Sequence, residues 1–154
     1  MSSNMAIGLF LLYSVLNGMT LSVLLIAYTG ASVASTFFIT AGMFGAMSIY
    51  GYTTKQDLSS WGNLLFMALF GLILASVVNI FLQSSELYWL ISYIGVLVFV
   101  GLTAYDTQKI KQLAAQVIVE SEVGRKVAIL GALTLYLDFI NMFSFMLRIL
   151  GNRR

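Results

Sequence analysis

Neither cysteine nor histidine occurs in the 154 residues, and proline is missing too. The first two absences exclude disulfides, thiol chemistry, haem ligation by histidine and an ordinary zinc site. Without proline, a break in a helix has to come from glycine or from packing against polar groups. Charge is scarce as well. The chain has 8 basic and 6 acidic residues, 9% of the total, where a soluble domain carries about 25%. A surface so poor in charge would aggregate in water, so most of it faces membrane lipid. The basic residues stand at the ends of apolar runs, where they meet headgroups or anionic lipid. They form no nucleic-acid patch, and no cofactor is implied.

What is present is apolar: 60% of residues are hydrophobic, and the mean hydropathy is +0.94. Five runs are long enough to cross about 30 Å of hydrocarbon, which takes roughly 20 helical residues. They cover about 6–28, 33–50, 63–82, 88–107 and 127–150. The first is read as a retained span. "MSSNM" has no basic residue, and the run after it is longer than the core of a signal peptide. The runs are continuous and lack the period-two alternation of a membrane barrel. The expected fold is therefore all-α: a polytopic transmembrane bundle, with residues 1–154 as one transmembrane domain. "QLAAQVIVESEVGRK" is expected to form an amphipathic helix on the membrane surface, with "VGRK" as a solvated basic cluster. Small residues four apart (Ala41 with Gly45, Gly42 with Ala46, Gly71 with Ala75) are candidates for close helix approach. If the spans alternate, Lys55 falls on the same side as Lys109, Lys111, Arg125 and Lys126, and the positive-inside rule makes that side cytoplasmic. The basic tail, Arg148, Arg153 and Arg154, then falls outside. Either the fifth segment stops short of crossing, or the tail is outweighed by the loops.

Two of the six acidic residues interrupt apolar sequence. Asp106 follows "LYWLISYIGVLVFVGLTAY", and Asp138 sits inside "AILGALTLYLDFINMFSFML". A charged carboxylate at mid-bilayer costs at least about 2.5–3.5 kcal/mol on insertion scales. Thr134 and Asn141, four and three positions from Asp138, make a polar stripe with it on one helix face. That stripe suits either a locally satisfied packing group or a functional ionisable site facing protein or a water-filled cavity. Asp106 alone fits an interfacial carboxylate in water, paired with Lys109 one turn on. Should the two aspartates meet, they would share one proton, and losing it would set two like charges against each other. Such a pair is a pH sensor and gate, and its oxygens suit transient contact with a hard cation such as calcium. An enzyme is not expected. The Gly-x-Gly-Asp sequence of intramembrane aspartyl proteases is missing, as are HExxH and any glycine-rich phosphate loop. Tyr50, Tyr52, Tyr105 and Tyr136 read as interfacial or packing aromatics.

The stretches "SIYGYTTKQDLSSWGNLL", "GLILASVVNIFLQSS", "ISYIGVLVFVGLTAYDTQKIK" and "GALTLYLDFINMFSFMLRILG" cover most of residues 36–151. They resemble the Bax inhibitor-1, or transmembrane Bax inhibitor motif, family, especially its bacterial inner-membrane members. The resemblance implies seven transmembrane helices and a pH-sensitive calcium leak. For eukaryotic relatives it also implies protection against cell death. It puts the family's paired aspartates on Asp106 and Asp138, and makes the last helix the central one, surrounded by the others. The five spans here match the third to seventh of the family, and the first two are not found. The resemblance also implies a basic residue on the second family helix that latches the pair. No residue here matches it, and Arg148 lies too far along the last span to replace it. The expected function is thus a pH-gated calcium or general cation leak, closed by a second copy or another membrane protein if the helices are truly missing. The alternative is a non-transporting membrane interaction protein that regulates membrane proteases or stress responses.

Overall fold

The computed structural model describes residues 3–118 and 120–151. Five helices follow one another: α1 (Ser3–Ala27), α2 (Gly30–Thr53), α3 (Ser59–Leu82), α4 (Ser85–Ala114) and α5 (Glu122–Leu150). Their lengths of 24 to 30 residues correspond to roughly 36–45 Å at 1.5 Å per residue. Each is long and apolar enough to span a membrane. The all-α polytopic bundle expected from the sequence is what forms. The helices overrun the apolar runs by a few residues, because hydroxyl caps outside those runs set their starts. Thr29, Ser84 and Ser121 accept hydrogen bonds through their side chains from the backbone N–H groups of Ser32, Leu87 and Gly124. At α3, Leu58 cannot cap, and Asp57 Oδ1 accepts from Ser59 N at 3.0 Å and Ser59 Oγ at 2.7 Å instead.

The surface helix expected over "QLAAQVIVESEVGRK" does not form. Its first residues extend α4 to Ala114 and its last belong to α5, which Ser121 caps, so the described residues between are turns. Val119 lies outside the described residues. "VGRK" is the first turn of α5, with Gly124 buried.

The ends of the bundle alternate. At one end, Ser3 N and Oγ at the start of α1 donate to the Glu122 carboxylate at the start of α5. Lys111 Nζ near the end of α4 donates to Tyr52 O near the end of α2, at 2.6 Å. At the other end, Gly151 just past α5 lies against the Tyr28 ring between α1 and α2. The fifth segment therefore runs the full depth of the bundle, and the reading in which it stops short is set aside.

α4 is the most enclosed helix, with α2, α3 and α5 packed around it. Its Val96, Val98, Phe99 and Leu102 form the main core with Met142 and Met146 of α5. A second cluster joins Tyr28, Phe143 and Leu147. Edge-to-face rings link α2 to α5: Phe44 with Phe139 at 5.4 Å and Phe37 with Phe143 at 6.0 Å. α1, α2 and α4 flank α5, while α3 packs on α4 and scarcely on α5, so one α5 face is left uncovered by the described residues.

The small-residue pairs need correction too. A side chain added at Gly42, Gly45 or Gly71 would meet nothing within 4 Å, so these glycines are not at crossings. Spacing by four carries no phase, and here the three glycines fall away from the crossings between the described helices. The close approaches are elsewhere. Gly51 of α2 lies on the Ala104 carbonyl of α4, and Gly95 of α4 lies under the Phe145 ring of α5.

Candidate functional site

Asp106 lies towards the end of α4, on the face that carries Phe99, Leu102 and Thr103 into the core. Asp138 lies midway along α5. Both are buried, with 6% and 4% of their surface exposed. Their carboxyls come within hydrogen-bonding reach of each other across the α4–α5 interface. A hydrogen bond between two carboxyls requires one to carry the proton that it donates. Oδ2 of Asp138 has no hydrogen-bond partner among the described groups, and a proton carried by either carboxyl would let the two bond to each other. Lys109, one turn on, is exposed. Its charge reaches Asp106 through space, and the solvated Asp106–Lys109 pair considered from sequence is not what forms.

The pair borders a cavity of about 510 Å³ between α3 and α5. Thr134, Asp138 and Asn141 line it together, as a single helix face should. Neither neighbour bonds to the aspartate. Thr134 Oγ1 donates to Leu130 O at 2.8 Å, and Asn141 Nδ2 to Leu137 O at 2.9 Å. The polar stripe is thus satisfied along its own helix and leaves the aspartates to each other. The far wall is α3, chiefly Leu69, Leu72, Ile73 and Ser76. Among the described residues no cluster of three or more carboxylate, histidine or cysteine side chains could hold a metal ion.

Gln108 was not singled out from sequence. It is buried two positions past Asp106. Its Oε1 accepts from Leu58 N at 2.9 Å and its Nε2 donates to Gln56 O at 2.8 Å, tying the α2–α3 turn to α4. The available hint was a neutral amide in "YDTQKIK", kept between an aspartate and two lysines. Arg148 stands at the opposite end of the bundle, stacked on Tyr88 and Phe145, and does not reach the aspartates.

The family profile described as "Inhibitor of apoptosis-promoting Bax1" matches residues 1–154. The chain belongs to the Bax inhibitor-1 family. It is 62% identical to the inner membrane protein YbhL of Escherichia coli K12 over 155 residues, covering 100% of this chain and 66% of YbhL. It is 55% identical to RP147 of Rickettsia prowazekii over 146 residues, 95% of this chain and 61% of that protein. With the membrane protein M6_Spy0327 of Streptococcus pyogenes it shares 44% over 146 residues, 95% and 63% of the two lengths. The chain spans about two thirds of the length of these curated relatives. It is an integral, multi-pass membrane protein, consistent with the bacterial inner membrane of its YbhL relative.

Proposed function

We propose that the protein is a pH-sensitive calcium or cation leak of the bacterial inner membrane, in which Asp106 and Asp138 form the gate. The observation that carries this reading is the meeting of two buried carboxyls from different helices beside a cavity. With one proton shared, the pair bonds α4 to α5 and is closed. When the proton leaves, two negative charges face each other in a poorly solvated place, and their repulsion admits water and a cation. Thr134 and Asn141 keep the approach on the α5 side polar. Two carboxylates supply at most four oxygens, fewer than the roughly 6–8 that hold a resident calcium ion. Calcium is accordingly a passing ion here, and the contact a transient one. The five helices act as one unit in this scheme.

Reconstituted in liposomes with a calcium dye inside, the full chain should leak faster as pH rises through the titration of the pair. In the double variant Asp106→Asn with Asp138→Asn, the pH dependence should be flat. An unchanged pH profile in that variant ends the gating scheme.

A second reading draws on the open face of α5. The cavity wall is largely apolar, with Phe66, Leu69, Leu72 and Phe145 among its residues, which suits a helix from a second copy or another membrane protein. In this reading the chain is a non-transporting regulator of membrane proteases or of stress responses. It predicts partner binding with no calcium flux at any pH.

A further inference from the structure

The basic tail that sits uneasily with the positive-inside rule begins with Arg148, and its surroundings are specific. Arg148 borders a cavity of about 560 Å³ at the bundle end opposite the aspartates, within the ordinary range of small-ligand pockets, about 300–1,000 Å³. Its guanidinium lies 5.3 Å from the centre of the Tyr88 ring and 5.1 Å from that of Phe145. Two rings thus orient a half-buried planar cation while leaving its N–H edge for an acceptor. Among the described residues, no carboxylate or carbonyl takes up that edge. Glu86, on the first turn of α4, is exposed and does not line the cavity.

The other walls favour an anion with an apolar body. Asn79, Gln83 and Ser84 are polar and neutral, and they bracket the start of α4, whose backbone dipole is positive there. Ile80 and Trp89 border the same cavity with 69% and 43% of their surface exposed. Tyr88, Trp89 and Tyr93 stand in ring contact along this end of α4, as aromatic side chains do at headgroup depth. A guanidinium whose N–H edge no described carboxylate or carbonyl takes up meets, at that depth, one abundant acceptor of matching shape, the phosphate of a lipid, which it can grip through two N–H donors.

We infer that Arg148 and the cavity at the junction of α3 and α4 bind the phosphodiester of a phospholipid, whose glycerol and acyl chains run out over Ile80 and Trp89. The headgroup depth and the apolar rim select a membrane lipid over a free anion.

Native mass spectrometry of the full chain, released from detergent, tests this with phosphatidylglycerol, diacylglycerol of the same acyl chains and inorganic phosphate as probes. Phosphatidylglycerol should be retained. Arg148→Gln should weaken that retention about ten-fold or more, as loss of a charge-assisted hydrogen bond implies. Arg148→Lys should fall between the two, and Arg125→Gln, at the other end of the bundle, should match the parent. Tyr88→Leu removes one ring that orients the guanidinium, so it should weaken retention as well, and it carries the test if Arg148→Gln does not fold. Retention by Arg148→Gln and by Tyr88→Leu equal to the parent's overturns the site. Diacylglycerol held as firmly as phosphatidylglycerol reduces it to acyl-chain adhesion, and displacement by inorganic phosphate makes it a free-anion site. Either result overturns the inference.

Discussion

Carboxylates in this chain do two kinds of work, and burial tells them apart. Asp138 is almost wholly enclosed and faces another acid, whereas Asp57 stands in the open turn between α2 and α3. Hydrogen bonds from the side chain and backbone of Ser59 hold the Asp57 carboxyl below its ordinary value of 3.8. Its folded-state value is depressed, so the support it gives to the start of α3 is complete above the ordinary value. That support fades only as pH falls through the lowered one. Carbon-13 NMR of the Asp57 carboxyl in nanodiscs should accordingly give a midpoint under 3.8, and Ser59→Ala should move it upward. A midpoint at or above the ordinary value contradicts the cap. Asp106 and Asp138 were both legible as candidates, because a carboxylate inside an apolar run is costly and therefore noticeable. Their contact was not legible from spacing, since 31 intervening residues fix no distance between two helices; the family resemblance supplied it. Gln108 escaped notice because a neutral amide near a helix end costs nothing until its partners are known.

Helices were easier to read than the way they pack. Run length and hydropathy gave all five, since crossing lipid needs unbroken apolar sequence. The crossings depend on which side of a cylinder each glycine occupies, and small residues four apart do not say. Gly51 is the sharpest case, because a Cβ there would run into the Ala104 carbonyl, a backbone atom that cannot rotate away. Gly51→Ala should cost about 1–3 kcal/mol, as overpacking does, and lower the thermal midpoint in detergent. Gly42→Ala, with open space around it, should be neutral or stabilising by up to about 1 kcal/mol, because alanine is the better helix former. Equal effects at the two sites would show that α2 and α4 do not touch there.

Taken whole, the molecule has two ends with different chemistry, and its lack of cysteine makes them simple to map. Lys55, Glu120 and Gln83 are exposed at turns. Changed one at a time to cysteine, the first two should react with an impermeant maleimide from one face of a proteoliposome, and Gln83→Cys from the other. Labelling of all three from the same face would rule out the alternating arrangement. One consequence follows from the grip of Gln108 on the turn at residues 56–58. Any rotation of α4 that parts the two acids must drag this turn with it, because the amide holds one backbone N–H and one carbonyl there at once. The turn is a lever whose short arm is buried and whose long arm, through Lys55, reaches water. Whatever grasps it from outside has a mechanical handle on the interior.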